Sequence, residues 1–153
     1  MATLVREFSF YVDLTTEHIG EGPFGDRIVA EGVGGGITGD RLRGTITAGG
    51  GDWLLVGDDG YARVDVRSTF DTHDGAAIYV QYFGLIEMTE GIRKVLDGGD
   101  EPTLFGEQYF MITPRMETGD ERYAWVNQTV FVGEGRLLPG LRVEFRVYRV
   151  AVS

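Results

Sequence analysis

Cysteine is absent from the chain, which excludes a disulfide framework, a thiolate metal site and a thiol nucleophile, and makes a reducing cytoplasm the expected location. Histidine is nearly absent: with only His18 and His73 no histidine-rich metal centre can be assembled, and Asp71-Thr72-His73-Asp74 reads as a polar hairpin tip. Neither a metal nor any other cofactor is expected. No apolar run approaches the ~20 residues that span a bilayer, and Met1 to Phe10 carries Arg6 and Glu7 in an alternating pattern, unlike a signal peptide. Basic residues are in deficit, 14 against 24 acidic ones, for a net charge of −10. That charge repels phosphate backbones and anionic lipids, so neither nucleic acid nor a membrane is an expected partner. Proline is scarce, at 4 residues, while glycine reaches 24. The glycines follow no period, which excludes a collagen-like fibre and points to tight turns and bulges.

Helical periodicity is also scarce. What recurs is period-two alternation of β-branched and aromatic residues between glycine and aspartate clusters, the pattern of an antiparallel meander. Strands are predicted over Leu4 to Leu14, Gly39 to Thr47, Trp53 to Val56, Tyr61 to Asp71, Ala76 to Leu85, Tyr109 to Glu117, Tyr123 to Val132 and Leu141 to Val150. Asp58-Asp59-Gly60 and His73-Asp74-Gly75 carry hairpin chemistry, because aspartate and glycine tolerate the positive φ of tight turns. From Met88 to Leu96, apolar residues at helical spacing followed by Gly98 and Gly99 predict one short helix, to pack on or plug a barrel end. Gly32 to Gly36 reads as a linker or bulged crossover. About eight strands suffice for a closed all-β barrel, in a single domain over residues 1–153.

The glycine-rich loops are not phosphate cradles, since no lysine followed by serine or threonine and no helix start accompanies them. Ser9, Ser68 and Ser153 lack the context of a nucleophile elbow. The more informative set is dispersed: Asp52 and Trp53, Asp65 and Arg67, Tyr79, Glu117, and Trp125 with Asn127. In the Tyr61 strand Arg63, Asp65, Arg67 and Thr69 share one face, and Val64, Val66 and Phe70 the other. The simplest rule turns the valine faces inward. The alternative turns the mixed aromatic and polar faces toward a ligand cavity, with the valines against a partner subunit.

The segments Gly49-Gly50-Gly51-Asp52-Trp53, Asp65-Val66-Arg67, Asp74-Gly75-Ala76-Ala77-Ile78-Tyr79, Tyr109-Phe110, Pro114-Arg115-Met116-Glu117-Thr118 and Tyr123-Ala124-Trp125-Val126-Asn127 occur in order. Together, over about Gly32 to Val150, they resemble the family known as domain of unknown function 3237. The resemblance implies a closed antiparallel calycin-like or lipocalin-like barrel, commonly dimeric, and no agreed reaction. Two positions depart from the family pattern: Met111 stands where an arginine is usual, and Met116 where an aromatic is usual. If position 111 faces the cavity, the first removes an anion anchor and leaves an adaptable apolar wall.

The reading taken forward turns the Arg67 and Trp125 faces into the lumen. It describes an enzyme without a cofactor, of lyase, isomerase, hydratase or cyclase type, acting on a small hydrophobic or aromatic molecule. Glu117 or Asp52, with a carboxyl pKa raised by a dry cavity, would exchange the proton. Arg67 would hold a carboxylate or enolate oxygen, and Tyr79 and Asn127 would donate hydrogen bonds to it. Trp53, Trp125 and Met111 would flank the substrate, and Asp65 would orient Arg67. The competing classes are a non-catalytic small-molecule-binding barrel and a structural homodimer whose lumen is filled by its own side chains.

Overall fold

Side chains alternate across a β-strand, and along this chain the alternation sorts apolar residues to the inside of a ring. The computed structural model describes residues 1–153. Its strands are β1 (Ala2–Gly22), β2 (Gly25–Gly39), β3 (Gly44–Ile46), β4 (Gly51–Val56), β5 (Tyr61–Thr72), β6 (Ala77–Glu87), β7 (Phe110–Glu117), β8 (Phe131–Leu138) and β9 (Arg142–Val152). All pairings are antiparallel. β1 pairs with β2 on one side and β9 on the other. β5 to β9 form a meander, and β3 and β4 share one place between β2 and β5. The result is a closed barrel of eight strand positions, which leaves no edge for unwanted pairing.

Both predicted hairpin turns form. Asp58-Asp59-Gly60 joins β4 to β5 with Gly60 at φ +83°, and His73-Asp74-Gly75 joins β5 to β6 with Gly75 at φ +93°. The predicted helix is α1 (Glu90–Leu96), inserted between β6 and β7. Thr89 caps it, its hydroxyl oxygen accepting the N–H of Ile92 at 3.2 Å. Ile92 and Val95 are buried, so α1 roofs one barrel end. A 3₁₀ segment, Glu121–Gln128, closes the other with buried Tyr123 and Val126. Inside, Phe8, Phe10, Phe70, Phe110, Phe131 and Phe145 meet mostly edge to face, with Phe10 and Phe145 centroids 4.9 Å apart. No helix is long and apolar enough to cross a membrane.

Three expected boundaries are corrected. The predicted strand Tyr123 to Val132 is mainly the 3₁₀ segment, because Tyr123 and Val126 bury at a three-residue spacing; β8 begins only at Phe131. The predicted strand Gly39 to Thr47 is a turn followed by the short β3. Gly32 to Gly36 is no linker but lies within β2, bulged at Val33, where pairing steps from Asp13↔Gly34 to Leu14↔Gly32. Gly35 in this stretch is required by close approach: a Cβ there would lie 2.1 Å from the Tyr11 carbonyl oxygen.

The expected facing is also overturned. Ala62, Val64, Val66 and Phe70 of β5 are buried within, while Arg63 and Arg67 stand exposed outside and Asp65 lies part-exposed on that same outer face. Taking an unpaired guanidinium out of water costs several kcal/mol (roughly, for a buried ion). No ring of compensating charges exists inside to offset it, so the simpler hydrophobic rule holds. Trp125 lies on the 3₁₀ segment and belongs to no strand face.

Candidate functional site

The barrel encloses a cavity of about 90 Å³, several times the space a single water occupies. Of its 27 lining residues 20 are hydrophobic, and Asp52 is the one carboxyl among them. β4 places Asp52 there because Asp52 and Leu54 are its inward positions, Asp52 lying opposite Ala30 of β2 and Val66 of β5. The β4–β5 ladder is interrupted just beyond: pairing stops at Asp52↔Val66 and resumes at Leu55↔Arg63. In the gap, Oδ1 of Asp52 accepts the backbone N–H of Asp65 at 3.0 Å.

This setting moves the Asp52 carboxyl from the usual 3.8 up to about 6. Burial is the main cause, since the apolar lumen disfavours the carboxylate. The Asp65 N–H pulls the other way, and the negative charge of Asp65 adds to the rise. One strand further round the ring, Tyr82 pairs with Val66 and also lines the cavity. Its phenol is pushed well above its usual value by burial and then by the nearby Asp52 charge, so it stays protonated. The Tyr82 ring is held edge-on by Phe10 and Phe145, at centroid distances of 6.0 and 5.6 Å, while its hydroxyl has no protein partner. Ser68 brings a further hydroxyl to the cavity wall, and Ile92 and Leu96 of α1 form part of its roof. No group of three or more histidine, aspartate or glutamate side chains is assembled that could hold a metal ion.

Of the residues singled out in the sequence, the structure brings only Asp52 into this cavity. Arg67 projects from the outer face of β5. Tyr79 and Glu117, cross-strand neighbours on β6 and β7, are exposed, and the Tyr79 hydroxyl donates to Gln81 at 3.3 Å. Trp53 faces outward, 43% exposed, and Met111 is exposed as well. Asp65 enters only through its backbone N–H. Trp125 packs on Phe131, with the Arg41 guanidinium 3.8 Å from its ring centroid. Asn127 clamps the 3₁₀ segment to the end of β7: its Oδ1 accepts the Thr118 N–H at 2.8 Å and its Nδ2 donates to the Thr118 carbonyl at 3.0 Å. The expected nine-residue constellation therefore does not share one pocket. Tyr82 and Ser68 were missed, although the inward rows they share with valines, Tyr82 with Val80 and Ser68 with Val66, carried the signal.

A family model described as "Protein of unknown function (DUF3237)" matches residues 2–150. The chain belongs to this family. Among curated relatives, a UPF0311 protein of Rhodopseudomonas palustris, RPA1785, is 32% identical over 102 residues, 66% of this chain and 65% of that protein. The UPF0311 protein blr7842 of Bradyrhizobium diazoefficiens is 30% identical over 117 residues, 74% of this chain and 73% of that protein. The alignment with RPA1785 thus spans just under two thirds of that relative's length, while the folds coincide more fully. The crystal structure of RPA1785, a conserved protein of unknown function, superposes with a TM-score of 0.89 at 26% identity, covering 99% of both chains. A "beta-barrel like protein" of Acinetobacter baumannii has a TM-score of 0.81 at 30% identity, covering 99% of this chain and 97% of that one. A structure described as an enzyme from Penicillium herquei has a TM-score of 0.67 at 21% identity over 98% of this chain and 95% of that one, a likeness of fold alone.

Proposed function

We propose that this DUF3237 protein is an enzyme that moves a proton on a small, largely apolar or aromatic molecule held in the lumen. A single carboxyl at the wall of an otherwise apolar cavity carries this reading. With its pKa near 6, Asp52 is populated in both acid and base forms close to neutral pH, the condition that favours proton exchange in either direction. The carboxylate takes a proton from the substrate, and the Tyr82 hydroxyl donates a hydrogen bond to the substrate oxygen on which negative charge gathers. Returning the proton to a neighbouring atom gives an isomerisation; losing a leaving group gives an elimination. Neither needs a group beyond the side chains of the wall. The fold likeness to a protein described as an enzyme is compatible with this, and the lack of cysteine supports a cytoplasmic setting.

Proton exchange can be read without knowing the natural substrate. Small aryl and cyclic ketones in deuterium oxide, followed by NMR, should show enzyme-dependent exchange at the carbon next to the carbonyl. Asp52→Asn should slow it by roughly 100-fold or more, while ketone binding, read from ligand line broadening, persists. Binding by the wild type without any exchange would replace this reading by the other that the apolar lining favours, a non-catalytic carrier of a small hydrophobic molecule.

A further inference from the structure

The barrel wall parts at the end that α1 roofs. Pairing between β1 and β9 stops at Asp13↔Arg142, and from Thr15 to Gly22 β1 runs on paired with β2 alone. Around this parting, Leu14, Ile28, Met88, Leu96 and Leu141 line the lumen and are only half-buried, so they form its rim. Asp52 and Tyr82 lie deeper. Both pair with Val66 of β5, four residues along from Ala62, whose β6 partner Ile86 stands next to the rim; four residues are roughly 13 Å of strand. Between the two levels the wall is apolar, with Leu54, Val64 and Ile86.

Leu141 holds an unusual conformation at this rim. It is the one non-glycine residue with a positive φ, +61°, a left-handed backbone that crowds the Cβ of a leucine against a carbonyl oxygen and that glycine adopts freely. The turn it ends, Pro139-Gly140-Leu141, joins Leu138 of β8 to its pairing partner Arg142 of β9. That turn is pinned on both sides of the strained residue. The Leu141 carbonyl accepts the Leu14 N–H at 3.0 Å, and the Arg142 guanidinium donates to both carboxylate oxygens of Asp13, at 2.7 and 3.0 Å. Strained backbone persists only where the surrounding structure holds it, and it gathers at sites that clamp ligands. Here the strained residue is itself part of the lumen wall.

We propose that Leu141 sets the length of the substrate, which is a carbonyl compound bound with its oxygen at Tyr82 and a hydrocarbon tail running toward α1. This rests on the reading of Asp52 and Tyr82 as the reacting end of the lumen. The orientation follows from where the polar groups stand. A carbonyl oxygen needs a donor, which the Tyr82 hydroxyl supplies, whereas the five rim residues offer a tail only apolar contact. Each methylene buried along Leu54, Val64 and Ile86 tightens binding about fourfold, until the tail reaches Leu141. Because its turn is held from both β1 and β9, Leu141 acts as a fixed stop and not as a swinging lid, and a longer tail gains nothing by growing.

Isothermal titration with straight-chain methyl ketones of increasing length tests it on the wild type, Leu141→Ala and Leu141→Gly. Wild-type affinity should rise with each added carbon and then level off at one length. In both variants the rise should continue for about three carbons more, the difference between a leucine and an alanine side chain, so that the longest ketones bind about 10-fold or more tighter than they bind the wild type. The shorter ketones should bind all three proteins alike. A wild type that binds no member of the series, an affinity that does not depend on length, or a plateau at the same length in both variants would each overturn the proposal; the last is also the result expected of a tail pointing away from α1. If Leu141→Ala fails to fold, as far-ultraviolet circular dichroism would show, Leu141→Gly decides it, because glycine takes the positive φ without strain. Only affinity is read, so a wild type that binds the ketones without exchanging their protons would set aside the catalytic reading and leave this one standing.

Discussion

The Asp52 carboxylate inside the barrel accepts the backbone N–H of Asp65, whose own side chain lies on the outer surface, at 3.0 Å across a gap in the β4–β5 ladder. One hydrogen bond thus joins the lumen to the exterior. It also gives the replacement of Asp52 by asparagine a clear meaning, since the amide oxygen can accept the same bond.

The first expectation concerns stability against pH. The folded-state pKa of Asp52 is raised above its unfolded value, so the native state holds a proton that the unfolded chain releases between about pH 4 and pH 6. Stability therefore falls as pH rises through that window. At ~1.4 kcal/mol per pH unit, the change from 3.8 to about 6 is worth about 3 kcal/mol. Asp52→Asn should be more stable than the wild type at pH 8 by about 1–3 kcal/mol, with the difference vanishing below pH 4. Urea unfolding at pH 4, 6 and 8 measures it; a variant less stable at pH 8 would show that the carboxylate is not strained by its setting.

Tyr82→Phe separates binding from packing. The hydroxyl has no protein partner, so its removal should leave the melting temperature within a degree or two (about, for a loss under 0.5 kcal/mol). Affinity for a ketone in the lumen should fall roughly 5- to 10-fold, while an apolar ligand of the same shape binds unchanged. Isothermal titration with the matched pair reads this directly.

Gly35→Ala probes the bulged part of β2. The added methyl would sit 2.1 Å from the Tyr11 carbonyl oxygen, and backbone on both strands must move to admit it. A loss of about 2–3 kcal/mol is expected, seen as a lower urea midpoint. An unchanged midpoint would mean that β1 and β2 are more loosely joined than their ladder suggests.

Asn127→Ala tests a position that sequence reasoning placed in the substrate site. Here it should cost about 1 kcal/mol by releasing the two bonds to Thr118. Amide exchange in Glu121–Gln128 should quicken, with ligand affinity in the lumen untouched. A specific loss of affinity would return Asn127 to the site.

Much of the barrel is legible in the sequence, for identifiable reasons. β5 and β6 alternate strongly because their inward rows are Val64, Val66 and Phe70, and Ile78, Val80 and Tyr82. β2 and most of β8 escaped because their inward rows include Gly32 and Gly35, and Gly133 and Gly135. At Gly135 the space a side chain would fill is taken by Phe110 and Phe145 across the core. Glycine there is a packing choice that leaves no hydrophobic period to read. The site was partly legible: Asp52 drew notice within Gly49 to Trp53, but its neighbours were sought among charged and aromatic residues. Tyr82, hidden in an aliphatic row, is the partner that the inward-valine rule would have supplied.

A wall one strand thick has little insulation. Because the charge of Asp65 helps hold the Asp52 proton, any cation brought against the outer face should let that proton leave at lower pH. The acidic limb of a proton-exchange profile then becomes a gauge of charge on the far side of the wall: Asp65→Asn should slide it to lower pH, with the lumen itself unchanged.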